Sequence, residues 1–144
     1  MRILVLNGPN LNLLGAREPE VYGHMDLAEL DSLIAARATE LGVDVDTRQT
    51  NSEEELIGWI HEAFKSKAAV VLNPAAFTHY SYALRDACAA HTSAGNKLIE
   101  VHISNPHARE QFRHNSVISG VASGVIAGFG SDSYLLAIEQ LARN

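Results

Sequence analysis

The sequence has a single cysteine, only three lysines and no long apolar run. Cys88 cannot form an intramolecular disulfide, and the cysteine clusters that hold zinc or iron–sulfur centres are absent. The first apolar run, residues 3–6, is too short for a signal peptide or a membrane span. The net charge of −6 provides no positive field for nucleic acid or for an anionic membrane. We therefore expect a cytoplasmic protein that binds neither nucleic acid nor membrane.

The rest of the composition is that of one globular domain. The chain has 144 residues, of which 47% are hydrophobic and 19% are charged. A domain of this length buries about two thirds of its unfolded surface, so it can form a full core unaided. We expect a single domain over residues 1–144.

Apolar segments rich in β-branched residues alternate with segments of helical spacing, which is typical of an α/β protein with a parallel sheet. The predicted strands are 3–7, 43–47, 68–73, 98–103 and 125–127. The predicted helices begin after Asp26, after Ser52, at Ser81, around residues 108–112 and after Ser131. Strand 3–7 is expected at the sheet centre and strand 43–47 at an edge.

The loop between the first strand and the first helix is long. Residues 8–25 contain too many glycines and prolines for a helix, and loops of this length are usually functional. Arg17 and Tyr22 lie between two glycines, which predicts a lid over residues 15–24. A guanidinium near the phenol favours the phenolate, which is a usable general base. The alternative is that both are ordinary surface residues.

Three predicted strands end in polar residues, at 7–10, 73–74 and 100–105. In open α/β sheets ligands bind beyond the carboxyl ends of the strands, so these ends predict a site. Glu100 and His102 are two residues apart on one strand, and a carboxylate on the same face can hold a protonated imidazole for use as a general acid. Taken alone, a strand histidine is more often a hydrogen-bonded core residue.

Other chemistries are disfavoured. No paired-ligand spacing of histidines indicates a metal, and no glycine-rich fingerprint follows the first strand. The lysines precede strands three and four, away from the expected cleft, which argues against a Schiff base. Arg17 and Arg113 are the better candidates for anion binding. Arg85 and Arg109 are weaker candidates, because an arginine at such a position is more often a solvated helix charge.

These motifs resemble the type II 3-dehydroquinate dehydratases. The matching segments are 6–15, 17–19, 21–23, 73–79, 83–87 and 100–105, together with Arg113. The resemblance implies a flavodoxin-like three-layer sandwich with a five-stranded parallel sheet. It also implies a homo-oligomer, a dodecamer built as a tetramer of trimers, and no metal or organic cofactor. The implied reaction is the reversible dehydration of 3-dehydroquinate to 3-dehydroshikimate by anti elimination through an enolate, in the shikimate pathway or in quinate breakdown.

The resemblance also implies catalytic roles. Tyr22 is the base that removes a C2 proton, and Arg17 is the lid residue that favours its phenolate. Asn10 holds a water that stabilises the enolate. His102, partnered by Glu100, is the acid that helps the C1 hydroxyl leave.

The implied substrate-binding residues lie at the ends of strands three and four. Asn73 and the backbone of Ile103 and Ser104 hold the substrate carboxylate. His79 and Arg113 contact the ring hydroxyls.

One implied contact crosses between subunits, since Asp86 is the family residue that reaches into a neighbouring subunit's site. Tyr80 and Tyr82, near that contact, stand where many family members have Thr and a small aliphatic residue. The second interpretation is a catalytically silent α/β binding or assembly protein on the same scaffold, which the absence of Tyr22 or His102 would have favoured.

Overall fold

The structure, a computed structural model, describes residues 1–143. Its centre is a five-stranded sheet in which every paired strand is parallel, in the order β2-β1-β3-β4-β5. The strands are β1 (Arg2–Asn7), β2 (Asp44–Gln49), β3 (Ala69–Asn73), β4 (Leu98–His102) and β5 (Gly124–Ala127). The predicted strands are therefore confirmed, with small differences at their ends.

Helices cover both faces of the sheet. The helices are α1 (Pro19–Tyr22), α2 (Leu27–Leu41), α3 (Glu53–Ser66), α4 (Tyr82–Ser93) and α5 (Asp132–Ala142). Buried residues of α2 and α5 pack on one face, and buried residues of α3 and α4 pack on the other. The predicted three-layer α/β fold is confirmed.

Strand β1 shows why the sheet needs both layers. Ile3 and Val5 contribute to the core under α2 and α5, whereas Leu4 and Leu6 contribute to the core under α3 and α4. All four side chains are fully buried, as expected of a central parallel strand. Fully burying one such side chain stabilises the fold by roughly 1.5–3 kcal/mol.

Two predicted helix caps form as expected, and one does not. Asp26 and Ser52 each accept a hydrogen bond from the backbone N–H three residues ahead, at 2.8 and 3.1 Å. Ser131 precedes α5 but makes no side-chain capping bond within the described residues. Its own backbone is already helical, with φ −62° and ψ −28°, unlike the extended backbone of a capping residue. The Ser133 hydroxyl instead accepts from the N–H of Phe129 at 3.2 Å.

Two local predictions are wrong. The helix predicted around residues 108–112 is replaced by two 3₁₀ turns, Pro106–Ala108 and Gln111–His114, because the backbone is extended at Arg109 between them. Residues 8–25, predicted without a helix, contain the 3₁₀ turn Leu11–Leu13 and the single turn α1. Proline at the first position of α1 is compatible with a helix start.

Among residues 1–143, no helix is both long enough and apolar enough to cross a membrane.

Candidate active site

A cleft of about 570 Å³ lies at the carboxyl ends of β1, β3 and β4, where an open α/β sheet is expected to bind its ligand. Nine of the predicted site residues line it: Asn10, Arg17, Tyr22, Asn73, His79, His102, Ile103, Ser104 and Arg113. Glu100 lies behind His102, and Asp86 lies elsewhere. The structure therefore brings together residues from three strand ends and from the loop before α2.

Tyr22, the last residue of α1, is contacted by two arginines that line the cleft with it. The guanidinium carbons of Arg17 and Arg109 each lie 5.0 Å from the centre of its ring. Arg109 also donates a hydrogen bond from Nη1 to the phenolic oxygen at 2.8 Å and another to Ser104 Oγ at 3.3 Å. Arg17 forms an ion pair with Glu18 at 3.5 Å. Positive charge beside the oxygen stabilises a phenolate, and Arg109 is the group placed to supply it directly.

The interpretation of Arg109 as a solvated helix charge is wrong. Its side chain is 12% exposed and lines the cleft. The physical reason is the extended backbone at this residue, which follows a single 3₁₀ turn, so the side chain is not on a helix at all.

His102 and Glu100 form the predicted pair on one face of β4. His102 Nε2 lies 2.5 Å from Glu100 Oε2, and the Glu100 side chain is fully buried. With Nε2–H donated to the carboxylate, Nδ1 is the ring nitrogen left for a ligand. The negative charge of Glu100 stabilises an imidazolium, which is the form that can deliver a proton.

Three hydroxyl groups complete the surroundings of Glu100. Thr78 and Ser119 donate to its two oxygens at 2.6 Å each, and Ser116 lies 3.2 Å from Oε2. Burial raises the pKa of Glu100, but the hydrogen bonds from His102, Ser119 and Thr78 and the attraction of His102 outweigh it and hold the pKa below its usual value. These hydroxyls could not be predicted as partners of Glu100 from the sequence. Thr78 lies within the motif 73–79, whereas Ser116 and Ser119 carry no local signal.

His79 and Arg113 also line the cleft, and each is held by a neighbouring group. His79 Nδ1 contacts the carbonyl of Asn115 at 2.8 Å, which leaves Nε2 for the cleft. Arg113 bonds Glu110 at 3.1 Å, and its guanidinium carbon lies 4.6 Å from the ring centre of Phe112.

The ends of β1 and β3 meet closely at the floor of the cleft. Gly8 follows β1 and donates to the carbonyl of Asn73 at 2.8 Å. A Cβ at Gly8 would lie 2.7 Å from the carbonyl oxygen of Pro74, so only glycine fits there. Asn73 donates from Nδ2 to the hydroxyl of Tyr134 at 2.7 Å. Burial raises the pKa of Tyr134, so its hydroxyl keeps its proton. Nothing in the sequence distinguishes Tyr134 from an ordinary core residue, because it has the same helical spacing.

Two further predicted residues occupy different settings. Asn10 has a left-handed backbone, φ 69°, and its N–H donates to Asn51 Oδ1 at 2.9 Å. Asp86 is exposed on α4 and bonds Arg85 at 2.9 Å, away from the cleft of its own chain.

Within residues 1–143, no group of three or more His, Cys, Asp or Glu side chains is arranged to hold a metal ion. None of the three lysines, all of which the structure describes, lines the cleft.

Comparisons with known proteins agree along nearly the whole chain. The family model described as Dehydroquinase class II matches residues 1–142. A 3-dehydroquinate dehydratase of Mycobacteroides abscessus is 62% identical over 138 residues, covering 96% of this chain and 94% of that protein. Another, of Salinispora tropica, is 57% identical over 142 residues, covering 99% and 97%. The crystal structure of a type II dehydroquinase from Propionibacterium acnes has a TM-score of 0.95 to this chain at 49% identity, covering 99% of this chain and 97% of that one. This chain belongs to the class II dehydroquinase family.

Proposed function

We propose that this chain is a hydro-lyase that catalyses the reversible dehydration of 3-dehydroquinate to 3-dehydroshikimate, the type II dehydroquinase reaction of the shikimate pathway. The observation that carries this proposal is the presence, in one cleft, of a phenol hydrogen-bonded by a guanidinium and a histidine paired with a buried carboxylate. These groups are a base and an acid, and an elimination requires both. The silent scaffold protein is not favoured, since family membership and both groups point to catalysis.

The first step is removal of a proton from C2, next to the C3 ketone. Tyr22 is the base in this proposal, and Arg109 favours its phenolate through the 2.8 Å hydrogen bond. The guanidinium carbon of Arg17 lies 5.0 Å from the centre of the Tyr22 ring, so Arg17 adds a second positive charge. The electron pair moves onto the ketone oxygen to form an enolate, which a water held by Asn10 stabilises.

The second step is loss of the C1 hydroxyl. His102 donates its proton to the leaving oxygen from Nδ1, and Glu100 holds the ring through Nε2 at 2.5 Å. The enolate electrons return to form the C1–C2 double bond, and the hydroxyl leaves as water. The product is a conjugated enone. Tyr22 and His102 act on opposite faces of the substrate ring if the elimination is anti.

The remaining cleft residues bind the substrate in this proposal. Asn73 and the backbone of Ile103 and Ser104 hold the carboxylate, and His79 and Arg113 contact ring hydroxyls. Their support is that all five line the same cleft as the acid and the base.

The proposal includes a cytoplasmic dodecamer arranged as a tetramer of trimers, with no metal or organic cofactor. Asp86, exposed and outside its own chain's cleft, is available to reach a neighbouring subunit's site. Native mass spectrometry should then detect an assembly of twelve chains of 15.6 kDa. A monomer that retains full activity would contradict the intersubunit role of Asp86.

The direct test is ultraviolet absorbance after purified protein is mixed with 3-dehydroquinate. We expect the enone absorbance to rise at the same rate in untreated samples, in samples with a metal chelator and in samples with borohydride. Loss of activity with chelator would indicate a metal, and loss with borohydride would indicate an imine. No enone from folded protein would contradict the proposed function.

A further inference from the structure

We propose that Tyr134 of α5 is a positioning residue, which fixes the amide of Asn73 so that it presents an N–H group to the carboxylate of the substrate. This inference rests on the proposed function, because Asn73 is there the residue that binds that carboxylate.

The tyrosine hydroxyl lies beneath the ends of two neighbouring strands. Asn7 of β1 and Asn73 of β3 are register partners, and both are buried, with 1% and 3% of their surface exposed. Tyr134 reaches them from α5 and is itself fully buried. Its hydroxyl bonds both asparagines, at 2.6 Å to Asn7 Oδ1 and at 2.7 Å to Asn73 Nδ2. Buried polar groups of this kind are almost always hydrogen-bonded, and these three bond one another.

The hydrogen bonds fix which atom of each asparagine side-chain amide, oxygen or nitrogen, faces Tyr134. Asn7 Nδ2 donates to the carbonyl of Arg48 at 3.4 Å, which turns Asn7 Oδ1 towards the tyrosine. The hydroxyl of Tyr134 therefore donates to Asn7, and its oxygen accepts from Asn73. At the other end, the backbone N–H of Ala75 donates to Asn73 Oδ1 at 3.1 Å.

A reversed amide at Asn73 would lose both of its partners. Its Oδ1 would face the oxygen of Tyr134, whose proton is already given to Asn7, and its Nδ2 would face the N–H of Ala75. Each contact would then join two acceptors or two donors, which is costly in a buried position. The tyrosine and the turn after β3 thus select one orientation between them.

That orientation decides what the cleft offers to a ligand. One N–H of Asn73 Nδ2 is used by Tyr134, so the second N–H remains for the cleft that Asn73 lines. A carboxylate only accepts hydrogen bonds, so it is bound by this N–H and repelled by an amide oxygen. The carboxylate does not change during the elimination. Its binding is therefore equal in the ground state and the transition state, and losing it raises KM without lowering kcat.

The test is the variant Tyr134→Phe, which removes one oxygen and keeps the ring that packs in the core. We expect KM for 3-dehydroquinate to rise about fivefold, the size of one lost hydrogen bond, with kcat nearly unchanged. The matched control is Thr92→Val, which removes a hydroxyl bonded to the carbonyl of Val121 at 2.8 Å, near the last turn of α4 and outside the cleft. Thr92→Val should lose stability but keep the wild-type KM.

A double-mutant cycle distinguishes positioning from a general loss of packing. If Tyr134 acts through Asn73, adding Tyr134→Phe to Asn73→Ala raises KM no further than Asn73→Ala alone. A wild-type KM in Tyr134→Phe, or KM increases that multiply in the double variant, would overturn the inference.

Misfolding is checked by circular dichroism. If Tyr134→Phe does not fold, the second variant is Asn7→Ala, which removes the acceptor of the tyrosine proton without changing α5. Asn7→Ala should also raise KM. An unchanged KM in Asn7→Ala overturns the inference. Wild-type protein that forms no enone would overturn the proposed function along with it. Wild-type turnover combined with an unaffected Tyr134→Phe variant overturns only the role of Tyr134.

Discussion

Replacing Arg109 with lysine, beside the same change at Arg17, tests which guanidinium serves the base. Arg109 Nη1 lies 2.8 Å from the phenolic oxygen of Tyr22 and 3.3 Å from Ser104 Oγ, so it holds both groups at once. Arg17 lies over the ring and pairs with Glu18. Lysine retains the positive charge but lacks the planar arrangement of N–H donors, so the substitution tests the hydrogen-bonding geometry separately from the charge.

The contacts predict unequal losses. A hydrogen bond to a charged group contributes about 1.5–3 kcal/mol, so Arg109→Lys should lower kcat about 10- to 150-fold if that bond stabilises the phenolate. The Arg17 side chain is 32% exposed, and a cation over an aromatic ring at such a site contributes about 0.5–1 kcal/mol. Because lysine keeps the positive charge, Arg17→Lys should lower kcat by no more than about two- to fivefold.

The assay is enone absorbance at saturating 3-dehydroquinate, with circular dichroism to confirm that both variants are folded. A larger loss in Arg17→Lys than in Arg109→Lys would refute the reasoning, because it would mean that the hydrogen-bonding arginine is not the one on which the base depends.

Two further predictions concern stability. Ser119→Ala removes a 2.6 Å hydrogen bond to the buried Glu100 carboxylate, so urea denaturation at neutral pH should show the free energy of unfolding lowered by about 1.5–3 kcal/mol. The pKa of Glu100 in the folded protein is below its usual 4.5, so the stabilisation from the ionised carboxylate is present above pH 4.5 and is lost as the pH falls through the lowered pKa. An unchanged free energy of unfolding of Ser119→Ala at neutral pH would contradict the prediction. Burial lowers the pKa of His91, and the hydrogen bond to the Lys97 carbonyl opposes this effect more weakly. The unfolded chain therefore binds more protons at His91 than the folded protein does. Wild-type stability should fall as the pH drops below about 6.5. Denaturation on both sides of that pH should show a smaller fall in His91→Gln and the full fall in His61→Gln, whose side chain is exposed; equal falls in all three proteins would show that His91 is not the cause.

Much of the fold could be predicted because local and global signals agree. The run Ile3–Leu6 is apolar on both faces, and the structure buries it between two helical layers. Asp26 and Ser52 were found as caps because a side chain that accepts from the N–H three residues ahead is a local feature of sequence.

Positions that depend on tertiary contacts could not be predicted in this way. The residues around Arg109 predict a helix, but the chain forms 3₁₀ turns on either side of it. Only the folded structure brings Arg109 to Tyr22, which is 87 residues away in sequence. Tyr134 shares the helical spacing of its apolar neighbours, and nothing local indicates that its hydroxyl meets two strand ends. The hydroxyls around Glu100 come from the 3₁₀ helix Ala75–His79 and from residues 116–119, so they too are assembled by the fold.

The variant Tyr22→Phe tests most directly whether Tyr22 is the base that removes the C2 proton. The substitution removes only the phenolic oxygen, so we expect a folded protein that still binds 3-dehydroquinate in a calorimetric titration but forms no enone at saturating substrate. Near-normal enone formation by Tyr22→Phe would contradict the claim, because the proton at C2 would then have to be removed by another group.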